Sequence, residues 1–134
     1  MKITGGCYCG KVRFEAEIDP DDVVICHCTD CQRLSGSPYR TTVLVPRPDV
    51  EITSGVTRSY WKMAESGRKR EQFFCENCGS PLFTGGEGAD EDDWGIRWGM
   101  IDQRDALPPK RQIWCRSAAP WLDGITALPG NATE

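Results

Sequence analysis

Apolar and polar residues alternate along much of this chain, and a period of two is typical of half-buried β-strands. In the clearest run, residues 11–18, charged side chains separate four apolar ones: Val12, Phe14, Ala16 and Ile18. A second run places another four apolar side chains on one face: Trp94, Ile96, Trp98 and Met100. We expect the apolar face of each strand to pack in the core.

Shorter runs rich in β-branched or aromatic residues predict further strands at 23–26, 41–45, 50–53, 59–61, 72–75, 82–84 and 112–116. Turns rich in proline, glycine and aspartate separate them, and the acidic stretch 87–93 is typical of a solvated loop. No segment has a convincing helical period; the best short candidate is the turn after Asp102. The pattern predicts a mainly β, antiparallel fold in one domain, 1–134.

Seven of the eight cysteines form three tight clusters: Cys7 and Cys9; Cys26, Cys28 and Cys31; Cys75 and Cys78. Closely spaced cysteines are the usual ligands of tetrahedral zinc. Disulfides are the simpler alternative, but the clusters are too close-set for local bridges, and the amino terminus has no apolar signal core. We therefore expect reduced thiols, two zinc ions per chain and a cytoplasmic location.

Two clusters end in Cys-Gly, at Cys9-Gly10 and Cys78-Gly79. Glycine after the second ligand adopts the tight left-handed turn of a zinc knuckle at no steric cost. The middle cluster has Gln32 after its last cysteine, so it is built differently. This difference assigns four cysteines to one closed structural zinc site: Cys7, Cys9, Cys75 and Cys78.

The remaining cluster supplies three ligands, Cys26, Cys28 and Cys31, and three interpretations compete for a fourth. The position is open to water or substrate, or Cys115 fills it, or His27 reaches in. His27 sits between two ligands, so we expect its side chain to point away. Cys115 shares a predicted strand face with Ile113 and is expected to be buried, which favours the open position.

Three thiolates make zinc a poor Lewis acid for generating hydroxide, but soft ligands suit another thiolate as the fourth. A coordinated thiol is deprotonated at neutral pH, so carbon–sulfur bond formation or cleavage is the natural chemistry. Zinc deaminases also use three-ligand cysteine sites, yet their His-x-Glu and Pro-Cys-x-x-Cys strings are missing.

Composition excludes some partners. The net charge is −4, which argues against nucleic acid, since phosphate binding relies on a basic surface. No apolar run approaches the roughly 18 residues that would suggest a membrane span. We expect a small-molecule partner, with no role for nucleic acid or membrane.

The cysteine clusters and their flanks closely resemble the glutathione-dependent formaldehyde-activating enzyme family, which includes centromere protein V-like proteins. The matching segments lie at 5–14, 26–33, 35–39 and 74–83, and the ending at 113–121 resembles the family's carboxy-terminal signature. Two positions depart from the pattern: Gln32 stands where arginine is common, and Gln112 where histidine is common.

The resemblance implies an antiparallel β-tent (zinc-ribbon-like) fold, shared with a Rab-interacting chaperone. It implies a structural zinc on Cys7, Cys9, Cys75 and Cys78 and a catalytic zinc on Cys26, Cys28 and Cys31. The implied activity is a zinc-dependent carbon–sulfur lyase acting on a thiol–aldehyde adduct such as S-hydroxymethylglutathione.

Glutathione carries two carboxylates, so its site requires cations. Arg33, two residues after a zinc ligand, is the best candidate for substrate binding. Residues 68–70, Arg-Lys-Arg, are typical of a solvated loop face, and Ser35 and Ser37 are candidates for contacting an oxyanion. The alternative hypothesis is a non-catalytic, zinc-scaffolded protein-binding module of the same fold.

Overall fold

The computed structural model describes residues 1–134, which form two β-sheets and one short α-helix. The strands are β1 Lys2–Gly6, β2 Arg13–Glu17, β3 Val23–Cys26, β4 Arg40–Pro46, β5 Val50–Ser54, β6 Thr57–Met63, β7 Lys69–Cys75, β8 Pro81–Gly85, β9 Asp93–Arg97 and β10 Arg111–Ile113. The helix α1 spans Thr29–Ser35. No helix is both long and apolar enough to cross a membrane.

The first sheet has three antiparallel strands in the order β1-β2-β5. The second has seven, in the order β10-β3-β4-β9-β8-β7-β6, and only the β10–β3 pair is parallel. Gly5 of β1 also forms an isolated bridge with Ile101, which follows β9 in the chain. The predicted mainly β, antiparallel architecture is confirmed.

The core lies between the sheets, where aromatic side chains from both make contact. Phe14 of β2 packs edge-on against Phe83 of β8 with ring centroids 5.1 Å apart, and Phe83 also packs against Trp94. The apolar face predicted for 11–18 is buried throughout: Val12, Phe14, Ala16 and Ile18. Burial of these faces supplies the main driving force for folding.

The predicted helix and one of the two alternating strands differ from the structure. The turn after Asp102 is a single 3₁₀ turn, Arg104–Ala106, whereas the α-helix lies inside the middle cysteine cluster. With seven residues, α1 is too short to display a helical period in the sequence. The alternation that begins at Trp94 predicts a strand that is too long. Strand β9 ends at Arg97, and residues Trp98–Met100 form a 3₁₀ turn.

The opposite face of the seven-stranded sheet carries polar side chains that are nevertheless buried. Successive side chains on a strand point to opposite faces, so Val43 and Ile96 face the core while Thr42 and Arg97 face away from it. The buried polar set on this face is Arg40, Thr42, Gln72, Thr84 and Arg97. The sheet therefore has two interior faces, one apolar and one polar.

Candidate metal centres and the adjoining cavity

The first cysteine cluster joins the two sheets. Cys7 and Cys9 lie in the turn between β1 and β2, whereas Cys75 ends β7 and Cys78 lies in the turn before β8. The Sγ atoms of Cys7 and Cys9 are 3.5 Å apart and those of Cys9 and Cys75 are 3.8 Å apart. Tetrahedral zinc with Zn–S bonds of about 2.3 Å separates its sulfurs by about 3.8 Å, so this cluster can hold a metal ion.

Both Cys-Gly turns have the conformation that the sequence predicts. Gly10 has φ of 79° and Gly79 has φ of 77°, in the left-handed region that glycine adopts readily. Hydrogen bonds also reach the sulfurs: the Val12 N–H donates to Cys7 Sγ over 3.3 Å, and Ser80 Oγ lies 3.2 Å from Cys78 Sγ. Such contacts orient ligands and delocalise their charge.

These contacts favour thiolates in the first cluster. The side-chain hydroxyl and the backbone N–H of Ser80 lower the pKa of Cys78 to about 5. The backbone N–H of Lys11 and the Asn77 side chain lower the pKa of Cys9. The pKa of Cys75, in contrast, is raised by burial and by its side-chain contacts with Cys7 and Cys78. A thiolate is the form that binds a metal ion, so the surroundings of Cys9 and Cys78 favour metal binding.

The second cluster is built around the start of α1. Cys26 ends β3, Cys28 is the N-cap residue of α1 and Cys31 lies in its first turn. The Cys31 N–H donates to Cys28 Sγ over 3.2 Å, so a ligand sulfur also caps the helix. The three sulfurs lie within 4.8 Å of one another, and no other Cys, His, Asp or Glu belongs to the group. The chain therefore supplies three ligands here.

His27 does not reach the second cluster. It is buried, and its Nε2 lies 2.7 Å from Gln112 Oε1 on β10, so the ring nitrogen donates to this amide oxygen. The ring also packs edge-on against Tyr39 with centroids 5.7 Å apart. As expected, His27 points away from the sulfurs and attaches the cysteine loop to the neighbouring strand.

Cys115 is exposed and lies outside the cluster. The predicted strand at 112–116 is wrong in its second half: β10 ends at Ile113, and Cys115–Ser117 form a 3₁₀ turn. The cause is Trp114, whose φ of 56° and ψ of 38° turn the chain out of the sheet. Cys115 is thus neither the buried apolar residue that the strand pattern predicts nor a fourth ligand in this structure.

The thiols of the second cluster share their protons unequally. The Cys26 thiol donates to Cys31, which lowers the pKa of Cys31 to about 5; Cys28 and the charges of Arg40 and Arg97 act in the same direction. The pKa of Cys26 is raised by the same hydrogen bond and by burial. Of these two thiols, Cys31 is therefore the one that loses its proton more readily.

A cavity of about 180 Å³ adjoins the second cluster on the polar face of the large sheet. Cys26, Cys28 and Cys31 line it together with Trp114, and no acidic residue does. The wall contains five cationic residues: Arg40, Lys62, Arg68, Arg70 and Arg97. The three-cysteine cluster therefore adjoins a cavity whose wall contains cations and no carboxylate.

Arg40 and Arg97 are held in this wall by Gln72. Its Oε1 accepts from Arg40 Nη1 over 3.2 Å and from Arg97 Nη2 over 2.8 Å. Arg97 Nη1 also donates to Thr42 Oγ1 over 2.7 Å. Burial and then the charge of Arg40 lower the pKa of Arg97 to about 9. Two like charges share one neutral acceptor, which is a costly arrangement for buried groups.

The other candidate residues lie in different places. Arg33 is exposed on α1 and does not line the cavity, so its role in substrate binding stays a prediction. Ser35 and Ser37 line a neighbouring cavity of about 500 Å³. In the 68–70 segment Arg68 and Lys69 are exposed, as predicted, whereas Arg70 is half-buried. Arg68 and Arg70 also line the smaller cavity.

Sequence reasoning missed Arg40, Gln72 and Arg97. The sequence does mark them as polar residues next to core residues in a strand: Arg97 follows Ile96, and Gln72 precedes Phe73. Alternation shows that such residues leave the apolar core, but it does not show whether they meet solvent or an enclosed site. Their burial depends on α1 and the segment around Trp114, which enclose this face.

Two comparisons with known proteins agree with this geometry. A crystal structure of a Rhodobacter sphaeroides protein, structural genomics target RhR83, superposes with a TM-score of 0.61 and 18% sequence identity, covering 81% of this chain and 98% of that one. That likeness shows the fold. The family model described as glutathione-dependent formaldehyde-activating enzyme matches residues 2–117. The chain therefore belongs to the glutathione-dependent formaldehyde-activating enzyme family.

Proposed function

We propose that this protein is a zinc-dependent carbon–sulfur lyase acting on thiol–aldehyde adducts such as S-hydroxymethylglutathione. One observation carries the proposal: three cysteine thiols with no fourth protein ligand line a cavity rich in positive charge. The family supports the reaction class, because its described activity is the glutathione-dependent activation of formaldehyde. We place the protein in the reducing cytoplasm, where its eight cysteines stay free.

The two clusters have different roles in this proposal. Cys7, Cys9, Cys75 and Cys78 hold a structural zinc, since their four thiols close a tetrahedral site. Cys26, Cys28 and Cys31 hold the catalytic zinc, since three ligands leave one position for substrate. A zinc ion bound there would keep an incoming thiol deprotonated at neutral pH.

The chain's own residues provide the rest of the site. Arg40 and Arg97, the two cations of the cavity wall without a carboxylate partner, attract an anionic substrate and favour its thiolate over its thiol. In the forward direction the sulfur lone pair forms a bond to the aldehyde carbon, and the carbonyl π pair moves to oxygen, which takes a proton from solvent. In reverse the hydroxyl proton of the adduct leaves to solvent and an oxygen lone pair re-forms the carbonyl π bond. The carbon–sulfur bond breaks at the same time, and its electron pair returns to sulfur.

Glutathione is the candidate thiol, and the size of the cavity limits how it binds. About 180 Å³ accommodates the cysteinyl part of the tripeptide, so its two ends extend outside. Arg33, exposed on α1 close to the cluster in sequence, is proposed to meet one of the terminal carboxylates. Neither nucleic acid nor a membrane is a proposed partner.

Cobalt(II) substitution tests the proposal directly. We expect two cobalt ions per chain, with thiolate-to-cobalt charge-transfer bands from both sites. Titration with glutathione should change the spectrum of one cobalt saturably, because only the Cys26 cluster lacks a fourth ligand. The release of formaldehyde from S-hydroxymethylglutathione, followed by NMR exchange, should then depend on that site.

Cys115→Ala is the matched control, because this exposed cysteine lies outside both clusters. It should bind two cobalt ions and respond to glutathione as the wild type does. Cys28→Ser should bind one cobalt ion and lose lyase activity. A four-thiolate spectrum that no thiol perturbs would contradict the proposal and favour the non-catalytic protein-binding module.

A further inference from the structure

Arg40 and Arg97 are the two cations of the cavity wall that lack a carboxylate partner. They are only 5% and 8% exposed. The other wall cations are paired: Lys62 with Asp30, and Arg68 and Arg70 with Asp93. The charges of both groups favour the thiolate of Cys31, but neither group has a carboxylate partner. Buried charges in proteins are normally paired, so two adjacent guanidinium groups without a carboxylate require an explanation.

The two guanidinium groups also have hydrogen-bond donors to spare. An arginine side chain carries five N–H donors. Arg40 uses one of its donors, toward Gln72, and Arg97 uses its two terminal nitrogens while its Nε has no partner. Because Gln72 Oε1 accepts from both residues, it holds the two groups next to each other. Adjacent guanidinium forks with free donors suit the planar, bidentate geometry of a carboxylate.

The position of this pair limits where an anionic group would lie in a substrate. Arg40 and Arg97 line the same cavity of about 180 Å³ as Cys26, Cys28 and Cys31. A substrate sulfur at the open position would therefore share this cavity with the two arginines, which also line the neighbouring cavity of about 500 Å³. The carboxylates of glutathione lie several bonds from its sulfur, so they are less suited to this pair than a carboxylate next to the reacting carbon.

We propose that Arg40 and Arg97 bind a carboxylate that the substrate carries close to its reacting carbon–sulfur bond. This inference rests on the proposed function, because it assumes that a thiol takes the open position of the Cys26 cluster. It adds the substrate class: thiol–aldehyde adducts in which the thiol or the aldehyde carbon bears a carboxylate. Gln72 is a positioning residue, since it contacts both arginines.

The test compares two thiols of similar size on the cobalt-loaded protein. Mercaptoacetate carries a carboxylate beside its sulfur-bearing carbon, and 2-mercaptoethanol carries a neutral hydroxyl. We expect mercaptoacetate to bind about tenfold more tightly or better, as charge-assisted hydrogen bonds predict. The readout is the cobalt spectrum at one pH and ionic strength, so it does not depend on turnover.

Arg97→Gln and Arg40→Gln should each bring the affinity ratio of the two thiols close to one while 2-mercaptoethanol still binds. Arg97→Lys keeps the positive charge but removes the planar guanidinium group that can bind a carboxylate with two hydrogen bonds. It should also lower the affinity ratio, and it replaces Arg97→Gln if that variant fails to fold. Lys62→Gln is the matched control, because it also removes one positive charge from the cavity wall. Unlike the two arginines, Lys62 forms an ion pair with a carboxylate, that of Asp30. The control should keep the preference for mercaptoacetate.

The outcomes separate this inference from the proposed function. If both thiols perturb one cobalt with equal affinity, the proposed function is supported and the carboxylate site is excluded. The two arginines would then interact only with the cysteine thiolates. If Lys62→Gln abolishes the preference as fully as Arg97→Gln, a general positive potential explains it and the arginine pair does not. If no thiol perturbs either cobalt, both proposals fall.

Discussion

Gly10 and Gly79 occupy equivalent positions, each directly after the second cysteine of a knuckle. Both have φ near the centre of the left-handed region, at 79° and 77°. A Cβ atom built on either residue would meet no other atom within 4 Å. Any cost of a side chain at these positions is therefore conformational and not a steric clash with neighbours.

Gly10→Ala and Gly79→Ala should each lower the free energy of unfolding of the zinc-loaded protein by about 1–2 kcal/mol, the cost of a left-handed alanine. Urea denaturation monitored by tryptophan fluorescence would measure this. Gly99→Ala is the matched control, because its Cβ also meets nothing within 4 Å and its φ is not positive. Equal effects at all three positions would contradict the conformational explanation.

At the scale of elements, α1 and β10 attach the loop of the second cluster to a distant part of the chain. Gln32 Nε2 on α1 donates to the carbonyl oxygens of His27 and Ser117, each over 2.9 Å. On β10, Gln112 Oε1 accepts from His27. The two positions that depart from the family pattern thus lie at one junction, where amide side chains join the cysteine loop to the carboxy-terminal segment.

Gln32→Ala should destabilise this junction, because it leaves two partly buried carbonyl oxygens without a donor. We expect a loss of about 1–3 kcal/mol in the free energy of unfolding. Amide hydrogen exchange should also accelerate in the segment 113–117. Arg33→Ala on the same helix is the matched control for stability: Arg33 is exposed and should change the free energy by less than about 0.5 kcal/mol. Unchanged exchange in Gln32→Ala would show that the two hydrogen bonds do not hold the segment.

At the scale of the whole molecule, the two cysteine clusters differ in what they connect. The Cys7 cluster joins the β1–β2 turn of the small sheet to the β7–β8 turn of the large sheet. The Cys26 cluster lies within one loop and the start of α1, all attached to the large sheet. A metal ion in the first site would therefore hold the two sheets together, whereas a metal ion in the second would add little to the global fold.

Cys9→Ser and Cys28→Ser test this difference as a matched pair, because each removes one ligand and keeps side-chain size. Each should lower the zinc content from two ions to one. Cys9→Ser should lower Tm by roughly 10 °C, equivalent to about 3 kcal/mol in a chain of this size. Cys28→Ser should lower Tm by only a few degrees, since serine can keep the helix N-cap. Equal losses of Tm would contradict the assignment of the Cys7 cluster as the structural site.

Much of the fold was predictable because strand alternation and turn residues are local signals. The apolar face of β2 and the bounds of β3 agree with the sequence, and the Cys-Gly turns have the expected left-handed φ. Helix α1 was not predictable, because its cap is the cysteine Cys28, an unusual N-cap, and it lasts only seven residues. The turn at Trp114 was also missed, since a left-handed tryptophan has no propensity signal.

The sequence by itself determined the candidate ligands, because thiol pairs at fixed spacing and glycine turns are local features that need no knowledge of the fold. It also divided seven cysteines into a group of four, for the first cluster, and a group of three, for the second. Only the tertiary structure decided which cations face the open cluster: Arg40 and Arg97 come from β4 and β9, and Gln72 on β7 holds them together. The physical reason is that alternation specifies which side chains leave the core, whereas their enclosure depends on elements far away in the chain.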